Sequence, residues 1–427
     1  MRLLYPKLKG NAAKKLYEVF VLVLSIIFSS AIILWDFPNT PKNLDFDEVE
    51  FARLALDLEG KPYTPYHPYA TGHTTLYYYI ILLSFKIFGI TNFALRFPSA
   101  LFGIIAAASL VFLVKEFDIN KKLKTKLILF LPLFLASTRW FFNFARFGYE
   151  ATFLLSLEIL SLSFLFSYIN KDSKKALIAS GIFTALAYNS YAAGRIFFLL
   201  PGIILTMQVL KTRKYQDLLV WSSSFLILTL PLNMYFITQG TDKRAVQQIF
   251  FLDPNLNMQE KISFLYQNIK KYILMFFYKG DINGRHNYPG KPALSPIQIP
   301  LLLSGTALLI KKAKELKQPI LTFLLWSIIS LIPPVLTYPW ENPNMLRSFT
   351  ILPSLSFIFS LGVFAIHDIT KKFKANIWTL FTLILLANTF YELRTYYVFQ
   401  KPIFSQAFIE VTPLEKLYKL GKLKIND

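Results

Sequence analysis

The sequence predicts an all-α polytopic membrane protein with about 11 transmembrane helices. Hydrophobic residues make up 54% of the 427 residues and charged residues only 17%, so the chain is more apolar and less charged than a typical soluble domain. The apolar residues form continuous runs of about 20, the length that an α-helix needs to cross the hydrocarbon of a bilayer. A β-barrel is not predicted, because its strands would alternate apolar and polar residues.

The positions of the spans follow from these runs and from the basic residues between them. Lys and Arg gather in six short clusters, and cytoplasmic loops are where membrane proteins carry such residues. The clusters are therefore predicted to face the cytoplasm, at residues 2–15, 115–126, 171–175, 211–214, 311–317 and 371–374. The predicted spans are 16–35, 97–114, 127–144, 151–169, 176–190, 196–210, 217–237, 296–310, 319–337, 349–367 and 376–392.

The first apolar run fixes the predicted orientation. It follows the basic N-terminal cluster and is longer than the core of a signal peptide, with no convincing small-residue cleavage site before Asp36. We expect it to be retained, with the N-terminus in the cytoplasm and the protein integral to the plasma membrane.

One apolar segment, residues 73–89, is predicted not to span. If it crossed the membrane, the basic cluster 115–126 would face outside, against the charge rule. It is expected to lie on the external face or to re-enter the membrane. The chain then divides into a transmembrane domain, 1–392, and a short tail, 393–427, which is external by counting spans. The domain has two long external loops, 37–96 and 238–295.

Composition and motifs exclude several classes of protein. The net charge of +21 does not indicate nucleic-acid binding, because the basic residues are split among loops and form no basic domain. The chain has no Cys, so it has no disulfide or Cys-ligated zinc. Nucleotide-binding and nucleophile-elbow motifs are also missing.

Three acidic residues are candidates for catalysis. Asp47 and Glu48 follow the first span, and on a helix they diverge by about 100°, so one can face a site while the other pairs with a base. Glu150 opens the fourth span, where a carboxylate at the edge of the hydrocarbon is a functional candidate. The alternative for Glu150 is a pair with Arg146, four residues earlier.

Basic residues at the outer ends of spans are candidates for binding a phosphate. Arg96, Arg195 and Arg347 lie at this level, and guanidinium groups bind phosphates in bidentate fashion. The alternatives are an interfacial anchor for Arg96 and ion pairs with external carboxylates for the others. A histidine such as His73 or His286, together with carboxylates, is able to bind a metal. The sequence shows no ligand-spaced motif, so a divalent metal is left open.

An ordered series of motifs resembles a known family. Asp47-Glu48 comes first, Gly72-His73-Thr74-Thr75-Leu76 second, and Leu95-Arg96-Phe97-Pro98-Ser99-Ala100-Leu101-Phe102-Gly103 third. In this order they resemble the GT-C membrane glycosyltransferases, specifically glycosyltransferase family 39. That family includes protein O-mannosyltransferases and the aminoarabinose transferases of lipid A.

The resemblance has departures as well as matches. Thr74-Thr75 replaces the Pro-Pro of the family's motif, and Glu150 stands where the family usually has Asp after a basic residue, here Arg146. The tract Arg285-His286-Asn287-Tyr288-Pro289-Gly290 is similar to bacterial members. The match covers the N-terminal half best, and its family pattern places surface-lying helices in the first external loop.

The resemblance implies an integral-membrane glycosyltransferase. It would move a sugar from a polyprenyl-phosphate donor to an acceptor hydroxyl of a lipid, glycan or protein on the external face, with inversion. Asp47 is expected to be the general base, and Glu48 to pair with Arg96. Glu150 is expected to orient the acceptor or help hold a metal. The residues expected to bind the lipid phosphate are His73, Arg96, Arg146, Arg195 and Arg347, with Tyr191 and His286 as further candidates.

Two other functions remain as alternatives. A transporter or flippase of lipid-linked sugars would place charged residues deep within spans and show repeat symmetry. Only Glu158 lies in mid-span by this prediction, and a contact within the helix bundle is one account of it. A polysaccharide polymerase or ligase would use the same kind of donor, with its large external loop late in the chain.

Overall fold

The fold is a bundle of α-helices with one two-stranded hairpin in its first long loop. We describe it from a computed structural model, which covers residues 11–240, 242–374 and 376–425. The helices of the first half are α1 (Asn11–Leu34), α2 (Phe46–Asp57), α3 (Leu76–Phe88), α4 (Asn92–Glu116), α5 (Lys121–Ser137), α6 (Arg139–Phe144), α7 (Ala151–Lys171), α8 (Lys174–Ser190), α9 (Leu199–Thr212) and α10 (Tyr215–Gln239).

The second half continues this pattern with shorter helices between the long ones. Its α-helices are α11 (Lys243–Gln248), α12 (Met258–Phe277), α13 (Gln298–Lys311), α14 (Lys317–Val335), α15 (Leu352–Thr370), α16 (Ile377–Arg394), α17 (Lys401–Ala407) and α18 (Leu414–Lys419). Short 3₁₀ segments are Ala192–Ile196, Phe250–Leu252, Pro339–Glu341, Phe349–Ile351 and Lys371–Phe373, and Thr395–Gln400 forms a π-helical turn.

The predicted fold class is confirmed, since each of the 11 predicted spans coincides with helical structure. Seven helices in the described part of the chain are long and apolar enough to cross a membrane by length and composition. These are Ala12–Leu34, Asn92–Glu116, Ala151–Lys171, Ala192–Thr212, Tyr215–Gln239, Lys317–Val335 and Phe349–Thr370. The other four predicted spans, 127–144, 176–190, 296–310 and 376–392, are helical but shorter or less apolar, and they stay predictions.

The segment predicted not to span forms α3, which has 13 residues. At 1.5 Å per residue it is about 20 Å long, which is too short for a bilayer of about 30 Å. It packs against α2 and α4 through Tyr77, Tyr78, Ile81 and Phe85, which are buried. The packing of α3, with its buried aromatic residues, therefore holds this part of the first long loop against the helix bundle.

Small residues let two helices of the bundle approach closely. A Cβ atom on Gly305 of α13 would lie 2.1 Å from the carbonyl oxygen of Ile358 in α15, and one on Gly362 would lie 2.3 Å from that of Leu301. Such contacts stabilise helix pairs where lipid offers no hydrophobic driving force. Glu158 accepts a hydrogen bond of 2.8 Å from Trp326 Nε1 of α14, so it makes a contact within the bundle.

The C-terminal tail packs against the first long loop. Leu44 and Glu410 form an antiparallel bridge, and the backbone N–H of Leu414 donates to the Asn92 side chain over 3.0 Å. Leu414 and Leu417 are buried in the core. The described part of the tail therefore lies on the same side of the bundle as the loop that carries Asp47.

Candidate active site

A polar cavity of about 780 Å³ lies where the first loop meets the two later loops. It is lined by residues from the start of α2, the turn before α7, α11 and the segments 281–286 and 340–347. Six of the residues predicted from sequence line it, and these are Asp47, His73, Glu150, Tyr191, His286 and Arg347. Four others predicted from sequence do not line it, and these are Glu48, Arg96, Arg146 and Arg195.

Asp47 presents a carboxylate to the cavity. Its side chain is 39% exposed, and it accepts hydrogen bonds from Arg285 Nη1 at 2.7 Å and from Tyr149 Oη at 2.9 Å. It lies in the first turn of α2, where the free backbone N–H groups favour negative charge. Asp47 is therefore both accessible and held in place.

Asp45 lies directly behind Asp47 and is fully buried. It is the N-cap of α2, and its side chain accepts a hydrogen bond from the backbone N–H of Glu48. The side chain of Glu48 accepts in turn from the backbone N–H of Asp45, so the two residues form a capping box. Tyr149 Oη is 2.6 Å from its Oδ2. Burial, and then the charge of Glu48, raises the pKa of Asp45 to about 7. The predicted candidates Asp47 and Glu48 indicated this region, but nothing in the sequence separated Asp45 as a site residue.

Glu48 and Arg96 pair with each other, as the sequence predicted. Arg96 donates to both carboxylate oxygens of Glu48 over 2.7 Å, and both side chains are fully buried. The remaining guanidinium hydrogens bind backbone carbonyls of residues 38, 41 and 43. Every donor of Arg96 is thus occupied, so this pair fixes the entry of the chain into α2 and lies outside the cavity.

Arg146 is buried at the end of the first membrane helix. Its guanidinium donates to the carbonyl oxygens of Ile33 at 2.5 Å and Thr40 at 3.1 Å. A cation at this end of a helix stabilises the unpaired carbonyls. Arg146 therefore ties α1 to the turn before α7, and it makes no ion pair with Glu150 among the described residues.

Glu150 is the buried carboxyl of the cavity wall. Its Oε2 has no hydrogen-bond partner among the described residues. Burial raises its pKa to about 7, although the charge of Arg244 acts in the opposite direction. Glu150 therefore holds a proton at mildly acidic pH and brings a carboxyl group with one buried, unpartnered oxygen to the cavity wall.

His73 is held neutral and positions an arginine. It lies in β2 (His73–Thr74), which pairs with β1 (Tyr66–His67) in the hairpin of the first long loop, and it lines the cavity. Its Nδ1 lies 2.9 Å from Tyr78 Oη and accepts from Arg244 Nη1 at 3.1 Å. Burial, and then the Arg244 charge, lowers its pKa well below the ordinary value. A neutral imidazole brings no positive charge to a phosphate, so Arg244 is the cation here.

The cavity continues into an apolar groove of about 210 Å³. Tyr191, Arg244 and Arg347 line both spaces. The Arg244 guanidinium lies 5.3 Å from the centre of the Tyr191 ring, a cation–π distance. Arg347 pairs with Glu341, and its Nη1 has no hydrogen-bond partner among the described residues. The junction of polar and apolar space therefore carries two arginines.

Arg195 lies in the groove but not in the polar cavity. It forms an ion pair with Asp242 and stacks against Phe236. The pairing with an external-loop carboxylate is the alternative that the sequence left open for this arginine.

The loop after α12 is shaped by side chains that bind its own backbone. Asp281 accepts from the backbone N–H of Asn283 and of Met345, both at 2.8 Å, and pairs with His286 Nδ1 at 2.8 Å. The Asn283 side chain accepts from the N–H of Arg285 at 3.0 Å. These bonds aim Arg285 at Asp47. Among the described residues, no group of three or more His, Asp and Glu side chains is placed to hold a metal ion.

Arg244 and Arg285 are two cavity residues that the sequence did not predict. Arg285 lies in a tract that resembled the family, but its partner Asp47 is 238 positions away. Arg244 lies in no motif, and it is 171 positions from His73. Contacts over such distances in sequence leave no local pattern to detect.

The sequence and the fold are similar to known proteins in two respects. Residues 72–247, which are 176 of the 427, match the family described as dolichyl-phosphate-mannose-protein mannosyltransferase. ArnT from Cupriavidus metallidurans bound to undecaprenyl phosphate has a TM-score of 0.55 at 12% identity, over 92% of this chain and 77% of that one. The apo state of the same protein gives 0.54 at 13% identity, over 94% and 78%.

A third solved structure is more distant, and no curated protein matches. The Pmt1-Pmt2 protein O-mannosyltransferase complex of S. cerevisiae, bound to its sugar donor, has a TM-score of 0.41 at 14% identity over 59% of this chain and 38% of that one. None of the curated proteins is similar enough in sequence to count as a relative.

The fold is that of a polytopic helical membrane protein, and residues 72–247 match a family of glycosyltransferases, so the chain resembles the GT-C type. Within this class, the resemblance to glycosyltransferase family 39 that the motifs indicated is confirmed by the family match over residues 72–247.

The two buried carboxyls make stability depend on pH. Asp45 and Glu150 have raised pKa values of about 7, so the folded protein binds these protons more tightly than the unfolded chain. Their contribution is fully present at low pH and is lost as pH rises through about 7. We expect the Tm of the purified protein to fall by roughly 5 °C between about pH 5 and pH 8.

Replacing both carboxyls tests this expectation. The double variant Asp45→Asn/Glu150→Gln should flatten the fall in Tm, whereas Asp57→Asn, on the outer part of α2, should leave it unchanged. A wild-type Tm that rises over this pH range would contradict the prediction.

Proposed function

We propose that this protein transfers a sugar from a polyprenyl-phosphate donor to an acceptor hydroxyl on the external face of the membrane. The observation that carries the proposal is the composite cavity. A held carboxylate, Asp47, lies on one wall, and two arginines, Arg244 and Arg347, lie at the junction with an apolar groove. A lipid phosphate that carries a sugar needs these three environments side by side.

The donor is proposed to bind across the junction. Arg244 and Arg347 would hold the phosphate, since guanidinium groups form strong charge-assisted hydrogen bonds to phosphate oxygens. The groove, walled by residues such as Ile332, Pro333 and Leu336, would take the isoprenoid chain next to the phosphate. The structurally similar ArnT was solved with undecaprenyl phosphate bound, which supports a ligand of this class.

Asp47 is proposed as the general base. An acceptor hydroxyl is a weak nucleophile, and a carboxylate within hydrogen-bond reach is able to take its proton as the oxygen attacks the anomeric carbon. The bond from that carbon to the phosphate oxygen breaks, and its electron pair leaves with the phosphate. The attack comes from the side opposite the phosphate, so the configuration inverts through an oxocarbenium-like transition state.

The other cavity groups would stabilise this arrangement. Arg244 and Arg347 face the negative charge that develops on the leaving phosphate, where fixed charges contribute most. Glu150, which burial keeps protonated to about pH 7, would donate a hydrogen bond to the acceptor or the sugar. Holding a divalent ion is the alternative role that the sequence leaves open for Glu150.

The external placement of the site rests on charge distribution. The cavity is lined by residues from loops and span ends that carry none of the six basic clusters. If those clusters face the cytoplasm, as the charge rule predicts, then the N-terminus is cytoplasmic and the cavity opens outward. The sugar is left open, as is the choice among lipid, glycan and protein acceptors.

Binding of the lipid phosphate tests the donor half of the proposal. We expect undecaprenyl phosphate to quench or shift the fluorescence of the purified protein, because Trp340 lines the cavity. Arg244→Ala and Arg347→Ala should each weaken binding by at least about tenfold, since a hydrogen bond to a charged group contributes about 1.5–3 kcal/mol.

Two controls make the result specific. Undecaprenol lacks the phosphate and should bind more weakly than undecaprenyl phosphate in every variant. Arg213→Ala removes an exposed arginine that lines neither space and should bind as the wild type does. Equal binding of undecaprenyl phosphate by wild type, Arg244→Ala and Arg347→Ala would exclude these arginines as the phosphate site.

A further inference from the structure

The phenol of Tyr149 lies within hydrogen-bond distance of two carboxylates but cannot donate to both of them at once. Its Oη is 2.6 Å from Asp45 Oδ2 and 2.9 Å from Asp47 Oδ2, and Arg285 Nη1 donates to it over 3.0 Å. A phenol has one hydrogen to donate. If both carboxyl groups were ionised, the phenol hydrogen would bond to only one of them. The oxygen of the other carboxylate would then lie against the phenol oxygen with no hydrogen between the two atoms.

One additional proton satisfies every group. If Asp45 is protonated, it donates to the phenol oxygen, and Tyr149 then donates its own hydrogen to Asp47. The phenol oxygen accepts from Asp45 and from Arg285, which uses both of its lone pairs. The charges also balance, since Arg285 then faces a single negative charge, on Asp47. We propose that Asp45 and Asp47 share one proton through Tyr149, and that it resides on Asp45.

The surroundings favour Asp45 as the holder of the proton. It is fully buried, whereas Asp47 is 39% exposed and is 2.7 Å from Arg285. The charged groups that face Asp45 are Glu48 from its own helix, Arg96 from α4 and Arg285 from the loop after α12, besides Asp47. The Arg96 charge is already paired with Glu48, which leaves Arg285 for the two aspartates.

The consequence for chemistry rests on the proposed function. With the proton on Asp45, Asp47 is the ionised member of the pair and is ready to act as base. When Asp47 takes the proton of the acceptor hydroxyl, the pair holds two protons, and one leaves to water from the exposed Asp47. Asp45 is a positioning residue in this scheme, because it acts through Tyr149 and touches no substrate.

Infrared spectroscopy of the purified full-length chain in lipid nanodiscs detects the shared proton without any substrate. At about pH 6, wild type minus Asp45→Asn should show the carbonyl band of one carboxylic acid, and the band should disappear as pH rises through about 7. Asparagine is as good an N-cap as aspartate, so α2 should keep its start. The matched control, Asp57→Asn, should leave that band in place.

A second variant, Tyr149→Phe, tests the shared proton even if Asp45→Asn fails to fold. Tyr149→Phe retains Asp45 but removes its phenol partner, so the acid band should remain and move to higher frequency. An Asp45→Asn spectrum with the same acid band as the wild type, or a Tyr149→Phe spectrum with an unshifted band, would overturn the shared proton. Neither result depends on turnover, so the proposed transferase activity stands or fails separately.

Discussion

Asp47→Asn should abolish turnover while leaving the fold intact. A general base contributes about 10²- to 10⁴-fold to the rate, and an amide does not take up the proton of the acceptor. The side chain is partly exposed on the wall of the cavity, so its replacement leaves no cavity in the core. The measurement is transfer of radiolabelled sugar from a polyprenyl-phosphate donor in membranes that contain the protein, with Tm measured in parallel.

The control for this result is a matched change on the same helix. Asp57 lies at the other end of α2, where it pairs with Lys61 and His67, and Asp57→Asn should transfer sugar at the wild-type rate. Undecaprenyl phosphate should bind to Asp47→Asn as it does to the wild type, which separates loss of chemistry from loss of donor binding. Wild-type turnover by Asp47→Asn would remove it from the base role and favour a transporter of lipid-linked sugars.

Arg96→Met should give the largest loss of stability among the charged residues discussed here. It removes the partner of Glu48, which is fully buried, and breaking a buried ion pair from one side costs about 3–5 kcal/mol because the other charge is left uncompensated. Three backbone carbonyls lose their donors in the same change. Thermal unfolding in detergent, followed by tryptophan fluorescence, measures the effect.

An exposed pair provides the comparison. Lys61 and Asp57 are 2.7 Å apart, but the lysine is 57% exposed, so Lys61→Met should cost no more than about 1 kcal/mol. The double variant Glu48→Gln/Arg96→Met should recover part of the stability that Arg96→Met loses. A variant Arg96→Met that melts like the wild type but no longer binds undecaprenyl phosphate would restore Arg96 to the donor site, where the sequence had placed it.

The two arginines of the first motifs show why residue type and position were not enough. Arg96 and Arg146 were predicted to bind phosphate because they stand at span ends in the expected order. In the structure both are fully buried and fully bonded, one to Glu48 and the other to carbonyls at the end of α1 and in the segment after it. The arginines that reach the cavity junction are Arg244, which no motif marked, and Arg347.

His73 was predicted to bind the lipid phosphate, and the structure shows its surroundings. His73 lines the cavity, as the motif indicated, but its environment makes it a neutral acceptor for Arg244. Protonation depends on burial and on the charges nearby, and both arise only after the hairpin has folded under α11. The sequence contains the residue but not its surroundings.

By itself, the sequence determined the class of protein, the positions of the helices, the short apolar segment that forms α3, and the acidic pair at the start of α2. These features depend on the length and polarity of continuous segments, so local composition is sufficient to predict them. Only the tertiary structure decided which charged side chains face the cavity. A charge brought out of water must find a partner, and for the buried Arg146 one such partner lies 250 positions away in the chain, so packing decided which charges pair internally and which remain for a ligand.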